Sequence, residues 1–242
     1  MSKYANKVAL ITGAGSGIGR ETAYQLAEHG AHIILVDLNE EGLKATVKGI
    51  EEVGRSCEWH VANVARRSDM NSLARKVNKA HGALDILVNN AGIGSAGVFM
   101  ETSLDTWDTV IDVNVKGVVH GCHYFLPAMV ERGGGHVVNL ASAAAFAAPK
   151  DMPIYCTSKF AVLGFTESLR AEMAGHGIGV SAICPGLINT PIVSSTVYEG
   201  KLAEGGRARD KAVALYKKRN YPPEKVAASI LHAIDKNKGV VP

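Results

Sequence analysis

Cysteine is scarce in this chain of 242 residues: Cys57, Cys122, Cys156 and Cys184 stand far apart, and no CxxC pair occurs. That gives no support to a disulfide framework or a thiolate zinc cage. An excess of one charge is also missing, because 26 basic residues meet 23 acidic ones and the formal net charge is only +3. So mild and dispersed a balance offers no footing for nucleic acid as a partner. No apolar run approaches the ~18 residues that a membrane span requires. The opening Met1-Ser2-Lys3-Tyr4-Ala5-Asn6-Lys7 runs straight into a strand-like segment and leaves no room for a secretory signal. The expected location is the cytoplasm. Disorder is excluded as well, since 47% of the residues are hydrophobic and 20% charged, enough apolar surface to offset the entropy of ordering. His120, Cys122 and His123 share a helix-like run but have no identifiable further ligand; they read as helix packing, and no metal is expected.

What is present is an alternation of short apolar runs with helix-length amphipathic segments. Val8–Ile11, Ile33–Val36, Trp59–Ala62, Ile86–Val88, Val137–Leu140 and Val180–Ile183 read as strands, and Gly239–Val241 as a possible last one. Between them the spacing predicts helices over Gly17–His29, Glu40–Val53, Arg67–His81, a long stretch Leu104–Glu131, Pro153–Ala174 and Pro223–Lys236. Continuous apolar strands separated by helices imply a parallel sheet covered on both faces. Right-handed crossovers then make an α/β, doubly wound, Rossmann-type domain the simplest topology. No repeat or linker interrupts it, so one domain over 1–242 is expected. Residues 191–219 break the rhythm, being longer and more polar than a turn, and suggest a substrate lid.

Thr12-Gly13-Ala14-Gly15-Ser16-Gly17-Ile18-Gly19 joins the first strand to the first helix. Its spacing is GxxxGxG. Glycines permit a tight turn and close backbone approach, and the helix N-terminus offers free N–H groups to a pyrophosphate. No Gly-Lys-Ser/Thr follows, which excludes a P-loop. Asp37 ends the second strand 20 residues after Gly17, where an acid can accept hydrogen bonds from both adenosine ribose hydroxyls. A 2′-phosphate beside it would cost about 4 kcal/mol per charge pair at ~4 Å and an effective dielectric near 20. Ser16, Leu38 and Asn39 supply no cation, although Arg20 is near in sequence. NAD is therefore expected over NADP. The plainer alternative is that Asp37 caps the helix starting near Glu40.

Tyr155 and Lys159 stand at i and i+4, on one helical face. A cation ~5 Å from a phenol contributes roughly 3 kcal/mol at that dielectric, enough to lower its pKa by about two units. Such a phenol can donate and accept a proton near neutrality. Alone, a pair of this spacing is usually a solvated face.

It is not alone. Thr12-Gly-x-x-x-Gly17-x-Gly19, Asn89-Asn90-Ala91-Gly92, Asn114, Ser142, Tyr155-x-x-x-Lys159 and Pro185-Gly186 follow the order and spacing of short-chain dehydrogenases/reductases. The chain resembles that family over nearly its whole length. The resemblance implies a single Rossmann domain with a seven-stranded parallel sheet, and hydride transfer between a nicotinamide cofactor and a secondary alcohol or ketone. It implies Tyr155 as general acid/base and Lys159 as the residue that lowers its pKa and binds the nicotinamide ribose. Ser142 would hydrogen-bond the substrate oxygen, and Asn114 would hold a water of a proton relay. Gly13, Ser16, Gly17, Ile18 and Gly19 would face the pyrophosphate, with Asp37 and Leu38 on the adenosine ribose side. Asn90, Ala91 and Gly92 would lie against the adenosine half, and Pro185, Gly186, Ile188 and Thr190 at the nicotinamide end. Asn89 reads instead as a tie across the sheet. Asn63-Val64 replaces the family's frequent Asp-Val; an amide oxygen can still accept the adenine amino hydrogen.

More narrowly, Val138–Phe146, Gly177–Gly186 and Arg219–Ala227 are similar to the dehydrogenase half of bacterial α/β-hydrolase–dehydrogenase fusion proteins. Ala143–Ala148, Met152, Pro153, Ile154 and Leu187, with Ile192, Val193, Val197 and Tyr198 of the lid, form a mostly apolar wall. That suits a lipophilic substrate, unless these residues simply pack core. Between Lys201 and Arg219 seven basic residues face two acids; a solvated helix face is the ordinary reading, an anionic substrate or carrier the sharper one. The resemblance further implies a homodimer or homotetramer built on the helices holding Asn114 and Tyr155. An epimerase or dehydratase using the same Tyr/Lys pair, or a non-catalytic nucleotide-binding module, are the alternatives.

Overall fold

Strands that read as unbroken apolar runs must be covered on both faces, and the computed structural model, which describes residues 3–242, shows how. The expectation drawn from the chain's start includes Met1 and Ser2, which lie outside the described residues. The strands are β1 (Val8–Thr12), β2 (His32–Asp37), β3 (Cys57–Val61), β4 (Ile86–Asn89), β5 (Ser95–Ala96), β6 (Gly135–Leu140), β7 (Ile178–Ile183), β8 (Val197–Tyr198) and β9 (Val240–Val241). The α-helices are α1 (Gly17–Glu28), α2 (Glu40–Glu52), α3 (Arg67–His81), α4 (Leu104–Ile111), α5 (Gly117–Arg132), α6 (Pro153–Met173), α7 (Ile192–Ser195), α8 (Arg207–Arg219) and α9 (Pro223–Lys236).

Seven strands make one parallel sheet in the order β3-β2-β1-β4-β6-β7-β9. From β1 the chain winds outward through β2 and β3, then crosses to β4 on the other side of β1. The order therefore reverses between β1 and β4, and loops leaving their carboxyl ends open a crevice there. Alternate residues feed opposite layers. Leu10, Ile34, Leu87 and Val137 pack under Phe125 and Met70, while Ile11, Ile33, Val88 and Val138 meet a layer holding Leu26, Leu43 and Ile230. This is a single Rossmann-type domain with helices on both faces of the sheet.

Across the middle of the sheet, Asn89 Nδ2 donates to Asn139 Oδ1 at 2.9 Å, and Asn139 Nδ2 to Thr166 Oγ1 of α6 at 3.0 Å. Asn89 is thus a tie between β4 and β6. On the rim opposite the crevice, α5 ends in the left-handed Gly133 (φ 77°), followed by Gly134 and the start of β6.

Two departures from the expected elements matter. The stretch predicted as one long helix contains a π-turn, Asp112–Lys116, between α4 and α5. An α-helical and a π-helical turn differ by one residue, which an apolar periodicity does not resolve. Residues 191–219 hold α7, β8, two 3₁₀ turns and α8, with β8 pairing β5 in a separate two-stranded ribbon. Strands of two residues carry no alternation to read. No helix among the described residues is long and apolar enough to cross a membrane.

Candidate active site

The Gly-rich turn is built by its neighbours. Thr12 Oγ1 accepts from the N–H groups of Asn90 and Ala91, and Asn90 Nδ2 donates to the carbonyls of Thr12 (2.9 Å) and Gly13 (3.1 Å). Gly13 has a φ of 66°, and a methyl group on Gly19 would lie 2.2 Å from the Gly13 carbonyl oxygen. Only glycine satisfies that closeness. The side chain of Ser16, the α1 N-cap, makes no capping bond, and the first turn holds no acid. The leading N–H groups of α1 are left for an anion, which fits a dinucleotide pyrophosphate. Ser16 is exposed, Ile18 half-buried, and Thr190 packs within 3.1 Å of where a Gly17 side chain would begin.

Asp37 is not the cap of α2. Asn39 takes that position, accepting from Gly42 N, while Asp37 Oδ2 accepts from Gly15 N at 2.8 Å and Oδ1 from Asn39 N at 2.9 Å. The carboxylate is thereby held at the end of β2 against the turn, with a further lone pair on each oxygen. Leu38 beside it is 62% exposed. Arg20, the one cation near in sequence, is engaged elsewhere: its guanidinium donates to the Gly15 and Gly42 carbonyls and to Thr46 Oγ1.

Several residues expected against the adenosine half do other work. Both amide protons of Asn90 brace the turn. Asn63 Oδ1, the proposed adenine acceptor, takes the Ala65 N–H at 3.0 Å in an Asx turn. Val64 is buried, lies against Gly117 of α5, and gives its carbonyl to His120 Nδ1 at 2.8 Å. The bland reading of His120 as packing describes this contact.

The reacting end is assembled from β6, the π-turn and α6. Ser142 follows β6; its hydroxyl donates to the Pro185 carbonyl and accepts from Ala144 N. Tyr155 and Lys159 share one face of α6. The Lys159 ammonium donates to the Leu140 carbonyl at 2.8 Å and stands 5.7 Å from the centre of the Tyr155 ring. Asn114 is fully buried in the π-turn; its amide donates to Ile93 O and Ser158 Oγ, and its oxygen accepts from Ile93 N. A methyl on Gly92 would lie 3.3 Å from Asn114 Oδ1 and 3.6 Å from Lys159 Nζ, so its bare backbone keeps a gap open between them.

Here one expectation is corrected. Burial pushes the Tyr155 phenol up to about 12; the hydrogen bond with Ser142 pulls against that rise, and the Tyr216 phenol of α8 adds to it. The ammonium faces the ring and a carbonyl, and burial has lowered its own pKa to about 8. Desolvation of both groups outweighs the simple pair attraction that predicted a two-unit fall.

The substrate wall divides. Ala145, Ile154 and Val193 are core residues, whereas Ala143 and Phe146–Ala148 are exposed, Phe146 by 56%. Pro185 and Leu187 are half-buried, Gly186 exposed and Ile188 buried. No residue of α8 is buried, and Arg209 stacks 5.3 Å over the Tyr198 ring. Thr12, Gly15, Arg20 and Ser158 join the site in the structure; Thr12 and Gly15 lie inside the glycine motif and Arg20 next to it, whereas Ser158 carries no sequence signal.

The family model for short chain dehydrogenase matches residues 7–199. The chain is 42% identical over 246 residues to the probable oxidoreductase EphD of Mycobacterium tuberculosis, an alignment covering 99% of this chain and 41% of that protein. It therefore spans about two fifths of that relative's length. Cyclohexanol dehydrogenase of Acinetobacter sp. is 39% identical over 194 residues, covering 80% of this chain and 77% of that one. A crystal structure of a short chain dehydrogenase/reductase from Burkholderia phymatum in complex with NAD superposes with a TM-score of 0.91 at 32% identity, covering 100% of this chain and 90% of that one.

Proposed function

This chain belongs to the short-chain dehydrogenase family, and from that premise we propose that it is an NAD-preferring oxidoreductase of secondary alcohols and ketones. The observation that carries the reading is the convergence of Ser142, Tyr155 and Lys159 at the carboxyl end of β6, on the same side of the sheet as the glycine turn and Asp37. A bound nicotinamide dinucleotide would supply the hydride acceptor or donor. Gly13, Gly17, Gly19 and the start of α1 would hold its pyrophosphate, Asp37 its adenosine ribose, and Ile188 with Thr190 the nicotinamide end.

Tyr155 exchanges the proton of the substrate oxygen, and Ser142 steadies that oxygen by hydrogen bonding. Beside Gly92, Lys159 Nζ and the second lone pair of Asn114 Oδ1 face one another, and a water bridging them would continue the proton path away from Tyr155. The preference for NAD rests on Asp37 and on the prior engagement of Arg20, since neither leaves a cation for a 2′-phosphate. The exposed Phe146 and the half-buried Ile192 and Tyr198 favour a lipophilic substrate, and the cyclohexanol dehydrogenase relative accords with this. The 41% coverage of EphD supports the narrower reading that the chain corresponds to the dehydrogenase part of a longer, fused architecture.

The test is stoichiometric NADH formation or loss over a panel of cyclic and aliphatic secondary alcohols and their ketones, with both cofactors. Turnover with NAD at a lower KM than with NADP is expected. A preference for NADP removes the cofactor assignment, and no redox turnover on any member removes the reaction class.

A further inference from the structure

Away from the crevice, His32, Glu58 and His81 bring two imidazoles and a carboxylate together, their ligand atoms all within 4.8 Å of one another. They come from three elements: the first residue of β2, the edge strand β3, and the last residue of α3. Asp37 ends the same β2 five residues later, about 16 Å along a strand, so this cluster is separate from the dinucleotide crevice. His32 Nε2 lies 2.9 Å and His81 Nε2 2.8 Å from the same oxygen, Glu58 Oε1. The two rings flank it with centroids 4.9 Å apart. His81 Nε2 is a buried atom that meets Glu58 Oε1 as a close ion-pair contact rather than as an aligned hydrogen bond.

We propose that His32, Glu58 and His81 form a binding site for a divalent transition metal, zinc being the best match. Two neutral imidazoles and a carboxylate are a borderline donor set that zinc accepts in tetrahedral geometry, with a fourth position for water. At zinc distances of about 2.0–2.2 Å, tetrahedral ligand atoms stand roughly 3.3 Å apart. The observed nitrogen–oxygen separations then need outward shifts of only about half an ångström. All three side chains are partly exposed, between 18% and 39%, so an ion has a path in. Bound metal would fasten the edge strand β3 to β2 and α3. Its role is structural.

The experiment takes the full chain stripped of metal and titrates it with zinc(II) by calorimetry and with cobalt(II) by visible absorption. One equivalent should bind, cobalt should give the intense bands of four-coordination, and Tm should rise by roughly 5–10 °C at a hundredfold excess over Kd. His32→Ala, Glu58→Gln and His81→Ala should each weaken zinc binding at least about a hundredfold. Anomalous diffraction at the zinc edge on the unaltered protein needs no variant, and should place the ion between the three side chains. Absence of stoichiometric binding, uptake unchanged in all three variants, or an anomalous peak elsewhere would overturn the proposal.

Discussion

At the scale of the residue, the proposed chemistry depends on how the half-buried Tyr155 and the buried Lys159 share protons. Tyr155, with its pKa near 12, keeps its proton through the neutral range. Carbonyl reduction, which draws on that proton, should be flat with pH until alkaline conditions, whereas alcohol oxidation should climb with pH. Tyr155→Phe should lower kcat in both directions at least ~100-fold; full activity would place the proton donor elsewhere. Lys159 is a stability switch of opposite sense. Its pKa falls from 10.5 unfolded to about 8 folded, so between these values the unfolded chain binds more protons and stability rises with pH. Below about pH 8 the cost of the buried ammonium is fully present. The thiols of Cys57, Cys122 and Cys184, raised by burial from 9.0 to about 11, 12 and 11, pull the other way in alkali. The lysine is therefore read by difference. Urea unfolding of the wild type minus Lys159→Met should show a gap that moves in favour of the wild type as pH rises from about 8 to 10.5, and a level gap would contradict the buried charge.

At the scale of the element, much of the architecture was legible because strands covered on both faces leave continuous apolar runs, as Ile33–Val36 and Val180–Ile183 do. The π-turn was not, since Asp112–Lys116 keeps the apolar rhythm of the helices on either side. Nor was the ribbon of β5 and β8, which is too short to show a period. That Asn114, Ser142, Tyr155 and Lys159 would lie together could be read from motif order, but the contacts of Asn90, Asn63 and Val64 could not. Those depend on which backbone groups the folded loops leave unpaired, a property of the tertiary structure. Gly92 lies on such a loop. The tight methyl contacts at 3.3 and 3.6 Å allow Gly92→Ala to fold while closing the gap between Asn114 and Lys159. The variant should keep its Tm but lose roughly tenfold in kcat at saturating NAD. Unchanged turnover would remove the water path from the mechanism.

At the scale of the whole molecule, α5, which follows the π-turn of Asn114, and α6, which carries Tyr155, also present apolar side chains outward. Val119 of α5 is 38% exposed and Phe160 of α6 46%. An apolar helix face of this kind is the surface expected to pair copies of the chain. Light scattering after size exclusion should therefore give a dimer or tetramer, and Phe160→Glu should shift it to smaller species; a monomeric wild type would end that expectation. On the opposite rim, away from the proposed metal site at the start of β2, the turn from α5 into β6 takes no part in either proposed site. At Gly133 and Gly134, where α5 turns into β6, an added side chain would meet nothing within 4 Å. New termini or a grafted peptide could be accommodated there, because the residues proposed to hold cofactor and substrate hang from the other ends of the strands. At this one turn the chain can be cut and rejoined without touching the crevice.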